Sequence, residues 1–210
     1  MAGAASWGER AKSKGERQAA LGGGAVITLG HMQAICPQTA SSRLALFVDP
    51  LNATFEEFGI LDVDEQQRFI AQVAHESSGF VYTREIWGPT PAQAKYDQRA
   101  DLGNTRPVAI AIAAQHGSTP GLWWRGHGLI QTTGFDNHKA AGEALGLDLL
   151  HHPELLEQPL NAARSAGHFW QANDLGSITD FQKLTRRING GLNGLADRLA
   201  YLERAQQAVA

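Results

Sequence analysis

The 210-residue chain has one cysteine, Cys36. A lone thiol excludes an intramolecular disulfide, and with it the Cys-rich secreted scaffolds. Cys36 has no companion motif and reads as a small buried hydrophobe. Charge is sparse: charged residues make up 19% and the net charge is −3, so no nucleic-acid footprint is present. Apolar runs are short. Val108–Ala114, among the longest, is far too short to cross a bilayer, and no stable membrane insertion is expected. No secretory leader is legible either, because the stretch AALGGGAVITLG (19–30) is broken by glycine and lacks a cleavage pattern. Action outside the cytoplasm would require another factor to release the protein.

Several catalytic signatures are also missing. His75-Glu76 begins the zinc motif H-E-x-x-H, but position 79 is Gly. The remaining histidines form no i, i+4 pair. There is no G-x-S-x-G elbow and no Gly-Lys-Ser/Thr phosphate loop, and GHGLIQ lacks the third Gly of a dinucleotide fingerprint. No metal or cofactor is expected.

What is present suits one packed domain, with 43% hydrophobic residues. Residues 1–30 read as a flexible, basic, Gly-rich tail and 31–210 as the domain proper. Two short helices are expected at 39–49 and 51–59, separated by Pro50, with Gly59 closing the second. A third runs from Asp64, with Gln67 completing a capping box, to Glu76, and Gly79 stops it. Residues 88–107 read as loop with a little helix, and 108–115 as a short helix. Helices follow at 136–145 and from Pro153, then along the stripe Leu160, Ala163, Gly167, Trp170. Thr179 with Gln182 repeats the capping-box signature, and Asn189-Gly190-Gly191 is a sharp turn. The last helix shows the face Leu195, Leu199, Leu202, Ala205. The fold class is mainly α (α+β), with two small helical lobes around a cleft and minor β.

The chain is organised around Phe69–Trp87, FIAQVAHESSGFVYTREIW. Phe69, Ile70, Val73 and Ala74 put one apolar helix face toward a core. Glu76 sits at the last turn, beside that apolar surface, and Glu85 follows the Ser-Ser-Gly break in extended chain. Two carboxyls in contrasting surroundings are what general acid–base cleavage of a glycosidic bond requires. In GLWWRGHGLIQTTG, Trp123 and Trp124 point opposite ways if extended. Both pack in the core, or one of them stacks on a ligand.

Six stretches in order, AQVAHESSGF (71–80), TREIW (83–87), ADLGNT (100–105), RGHGLIQTTGFDN (125–137), HPELLEQP (152–159) and RRINGGLNGLADR (186–198), resemble family 19 glycoside hydrolases. This chitinase-like family includes phage and prophage endolysins. The resemblance implies a lysozyme-like fold and an inverting mechanism, with Glu76 as general acid and Glu85 as general base. It implies a substrate-groove set of Gln131, Thr133, Asn137, Asn189 and Arg198, to which Trp124 is added. By type, Thr133 and Asn137 suit the water and N-acetyl groups, Gln131 and Asn189 suit hydroxyls or amides, and Arg198 suits buttressing of the acids. The chain departs from the family at His127, where Arg is frequent, and at Phe135 and His138. Segment 106–122 is longer than usual. The expected protein is a monomeric endolysin, made in a bacterial host cytoplasm and acting on the peptidoglycan of the wall after release. The alternatives are a chitinase and a non-catalytic glycan-binding protein.

Overall fold

A computed structural model describes residues 25–88 and 90–209. It is built almost wholly from helices: α1 (Leu29–Ile35), α2 (Ser41–Phe58), α3 (Val63–Glu76), α4 (Pro107–Gln115), α5 (Pro120–Trp123), α6 (Phe135–Leu145), α7 (Pro159–Ala172), α8 (Phe181–Asn189) and α9 (Leu195–Ala208). Short 3-10 turns cover Gln93–Gln98, Ala100–Leu102, Pro153–Glu157 and Leu175–Ser177. Strand structure among the described residues is limited to two isolated bridges, Arg84 with His127 and His127 with Thr132.

Helix α3 is the axis of the main core. Residues 69–74 are all buried, so the helix is covered on every side. It packs along α9, while α2 lies along α7 and α1 touches both α2 and α9. Phe69 meets Phe55 and Trp170 edge-on, with ring centroids 5.3 and 5.2 Å away. Each such pair adds about 0.5–1.5 kcal/mol beyond area burial. Gly167 lets α7 approach α2: a Cβ there would lie 2.5 Å from Phe58 Cδ2. Two smaller cores stand apart. Ala109, Ile112, Ala113, Trp124 and Phe135 form one, and Ala141, Leu145, Leu149 and Leu156 the other.

The structure corrects several expectations. Residues 25–30 are not tail: Ile27 is buried, and Asn52 both donates to and accepts from its backbone at 2.8 Å. Residues 1–24 lie outside the described residues. Pro50 does not divide the segment into a pair of helices. It sits inside the single helix α2, because Leu44, Phe47, Leu51, Thr54 and Phe55 form one continuous buried stripe across it. Burial of that stripe outweighs the roughly 3 kcal/mol cost of an interior proline. Helix α3 is capped by Asp62, whose side chain accepts from Glu65 N at 2.9 Å, and not by Asp64. Asp180, and not Thr179, caps α8. In α7 Leu160 is half exposed, and in α9 Leu199 faces outward while Arg198 turns in.

Candidate active site

Glu76 is the last residue of α3, and Ser77 is its C-cap. Ser77 Oγ donates to Val73 O at 2.8 Å and accepts from Phe80 N at 2.9 Å, which closes the helix end. The chain then makes a left-handed arch, with φ of 53° at Ser78, 73° at Gly79 and 66° at Phe80. Left-handed backbone costs about 1–2 kcal/mol per non-glycine residue. It is held here by Thr39 Oγ1 donating to Gly79 O (2.8 Å) and by Arg43 donating to Phe80 O (2.8 Å) and Val81 O (3.1 Å). The Phe80 ring is fully buried against Phe47. Position 79 needs glycine twice over, since an added Cβ would also meet Thr39 Oγ1 at 2.8 Å.

The carboxylate of Glu76 meets the guanidinium of Arg198, which is 1% exposed. Arg198 also donates to Gln72 Oε1 and to Asn193 O, and Gln72 Nε2 donates to Thr185 Oγ1 at 3.0 Å. One residue earlier, His75 Nδ1 lies 2.7 Å from Asp197 Oδ2. Two consecutive residues of α3 are thus paired with two consecutive residues of α9.

Glu85 is held by neutral groups. Its backbone N–H donates to Gly126 O at 2.7 Å, and Gly126 N–H returns a bond to Oε2 at 3.0 Å. Oε1 accepts from Gln93 Nε2 at 2.9 Å and from the Tyr96 hydroxyl at 3.3 Å. Burial first, then the Glu85 charge and hydrogen bond, raise the Tyr96 pKa, so the phenol remains a donor. Gln93 Oε1 in turn accepts from Gly88 N and Thr90 N, which pins the loop beneath. Nothing in the spacing of 88–107 singles out Gln93 or Tyr96, and sequence reasoning missed both.

The strip facing Glu85 rests on two buried histidines. His127 Nδ1 and His138 Nε2 are 3.2 Å apart, and His138 Nδ1 is 2.9 Å from Gly134 O. The Gly134 carbonyl only accepts, so neutral His138 carries its proton on Nδ1 and receives the Nδ1–H of His127. Burial pushes His127 down to about 3, helped by the charges of His138 and Arg125, and His138 down to about 4. Both are neutral scaffold. Phe135 joins them in the interior, and segment 106–122 forms α4 and α5, which cover Trp124 and Phe135.

Gln131, Thr133 and Asn137 share one wall of a cavity of about 340 Å³, opposite His168, Phe169 and Asn173. Gln131 is left-handed (φ 58°), its Nε2 donates to Gly128 O, and Thr133 Oγ1 donates to its carbonyl. Asn137 is exposed and donates to Thr133 O at 2.8 Å. Asn189, outside that cavity and exposed at the end of α8, donates at 3.2 Å to Asn193 O, the carbonyl that Arg198 also bonds. Trp124 is a correction: it is 0% exposed, edge-on to Phe135 at 5.0 Å, and cannot stack on a ligand. Trp123 stacks on His116 and donates to Leu150 O. Among the described residues no group of three or more His, Cys, Asp or Glu is placed to hold a metal ion.

Solved structures share this architecture. Chitinase C of Streptomyces griseus superposes with a TM-score of 0.62 over 89% of this chain and 78% of its own, at 24% identity. A class IV family 19 chitinase of Zea mays gives 0.61 over 87% and 92%, at 21% identity. These likenesses carry the fold. No family model matches the chain. A glycosyl hydrolase family 19 domain-containing protein of Haemophilus influenzae is 33% identical over 165 residues, 70% of this chain and 82% of its own length. An endochitinase of Arabidopsis thaliana is 35% identical over 159 residues, 74% of this chain and 50% of its own. The chain thus spans most of the bacterial relative and about half of the plant one. What these proteins have in common is the glycoside hydrolase class. The chain belongs to glycoside hydrolase family 19.

Proposed function

We propose that the chain hydrolyses the β-1,4-linked glycan strand of peptidoglycan, as an endolysin delivered to the wall from a bacterial host cytoplasm by another factor. The observation that carries the chemistry is the placing of two held carboxyls at the ends of one anchored stretch, and their division into acid and base follows the family resemblance. Glu76 faces one buried cation, Arg198, while Glu85 is aimed by three neutral donors. Glu76 gives its proton to the leaving glycosidic oxygen, and the carboxylate left behind is neutralised by Arg198. Glu85 takes a proton from a water that attacks the anomeric carbon from the opposite face, which inverts the configuration. Gln131, Thr133 and Asn137 offer amide and hydroxyl groups to the sugar.

A second reading is cleavage of chitin, favoured by the relatives and fold neighbours named as chitinases. Digestion of purified Gram-negative peptidoglycan and of chitin oligomers, with wild type beside Glu76→Gln, separates the two. New reducing ends from peptidoglycan support the first reading. Turnover of chitin alone replaces it with the second. Binding to the wall without any new ends would make the protein a glycan binder.

A further inference from the structure

Glu85 borders an open cavity of about 740 Å³ whose walls carry three guanidinium groups, those of Arg43, Arg84 and Arg125. Their charges are unevenly met. Arg84 pairs loosely with Glu157 at 3.4 Å. Arg43 hydrogen-bonds only the carbonyls of Phe80 and Val81, and Arg125 bonds the Leu122 carbonyl at 2.8 Å. Among the described residues neither Arg43 nor Arg125 has a carboxylate partner, and the buried Nε of Arg125 has no hydrogen-bond partner at all. The Glu85 oxygens already accept from Gln93, Tyr96 and Gly126. Burial lowers the pKa of Arg43. Burial, then the Arg84 charge, lowers that of Arg125, which Glu157 and Glu85 only partly offset. Like charges are therefore crowded and partly desolvated beside Glu85, an arrangement that an anion relieves.

A guanidinium fork matches a carboxylate bidentately. Chitin is neutral and offers no such group. The peptide stems of peptidoglycan carry free carboxylates on D-glutamate and diaminopimelate, and exposed Tyr82 and Ile86 on the same wall suit the alanyl methyl between them and the sugar. We propose that this cavity is a subsite for a stem-peptide carboxylate, held by Arg125 with Arg84 and Arg43 around it. The proposal rests on the peptidoglycan reading above. It makes Arg125 a specificity-determining residue, with no role in the bond-breaking step.

The test is calorimetric titration of the full-length Glu76→Gln protein with the free tripeptide L-Ala–γ-D-Glu–diaminopimelate and with its carboxamide form. Amidation should weaken binding about tenfold, the size of one charge-assisted hydrogen bond. Arg125→Gln should abolish the preference and Arg125→Lys restore some of it. In the catalytically intact protein, Arg125→Gln should raise KM about tenfold on peptidoglycan with free carboxylates and less than twofold on amidated peptidoglycan. If Arg125→Gln fails to fold, Arg84→Gln, at an exposed side chain, should show the same discrimination at smaller size. Equal binding of the acid and carboxamide tripeptides, or binding of neither, overturns the subsite, even where the wall is cut. Carboxylate-dependent binding without wall cleavage keeps the subsite and removes the peptidoglycan hydrolase reading instead.

Discussion

Arg198 reaches back 122 positions along the chain to donate its Nη2 to the Oε1 of Glu76. The contact joins two helices by a buried charge, and under the proposed mechanism it ties stability to turnover. Glu76→Gln keeps an acceptor for Arg198 but loses the transferable proton. Its kcat is expected to fall by about 10²–10⁴, with glycan binding retained. Arg198→Met should act differently. It strands Gln72 Oε1 and a half-buried carboxylate, while Asn193 O keeps its bond from Asn189, so it is expected to lose about 3–5 kcal/mol in urea denaturation as well as activity. A variant that lost activity with unchanged denaturation would refute the structural half of this role.

The donors around Glu85 make a milder prediction. Tyr96→Phe removes one of three hydrogen bonds to the carboxylate and leaves the ring packed against Trp87. It is expected to lower kcat about tenfold, with KM and Tm little changed. Gln93→Leu removes a donor and also the acceptor that pins Gly88 and Thr90, so it should lower both kcat and Tm. Steady-state kinetics beside thermal melts will separate the two.

Acid should unfold this protein through the His127–His138 pair. Both histidines have folded pKa values well below the ordinary 6.5, so protons bind the unfolded chain first. Their stabilisation is complete above pH 6.5 and is lost as pH falls, down to about 4 for His138 and about 3 for His127. The loss is about 1.4 kcal/mol per histidine for each pH unit. His138→Gln, which does not titrate, should flatten this acid slope by roughly half. Urea midpoints between pH 7 and 4 provide the check, and an unchanged slope would clear the pair of the effect.

Pro50→Ala should stabilise the fold. It restores a backbone donor in mid-helix and relieves the ring's clash with the preceding turn, against a smaller gain of unfolded-chain entropy. The expected net gain is about 2 kcal/mol, or about 4–8 °C in Tm. Activity should not change, because Pro50 is remote in sequence from both acids and lines neither cavity described above.

Much of this was legible in the residues. Periodicity around Phe69–Ala74 announced the buried helix, the glycine stop at 59 falls where the sequence places it, and the helix expected to end at 145 does so. Burial overrode local signals elsewhere. A continuous stripe carried α2 through Pro50, and in α9 Leu195, Leu202 and Ala205 pack inward as expected while Arg198 is buried and Leu199 faces out. The tryptophan pair was ambiguous because alternation assumes extended chain, whereas Trp123 ends helix α5. Gln93 and Tyr96 escaped notice for another reason. Their importance comes from contact with Glu85 across a loop, and no spacing encodes it.

The left-handed arch at 78–80 lies on the stretch that joins Glu76 to Glu85. Eight residues, 77–84, join them, and both ends are anchored: one by the cap of α3, the other by the Glu85–Gly126 backbone pairing. The backbone between Glu76 and Glu85 is therefore anchored along its length, with Thr39 and Arg43 holding its middle. Evolution or design can retune that backbone at Thr39, which holds the arch through Gly79 O and lines neither the Glu85 cavity nor the Gln131 cavity.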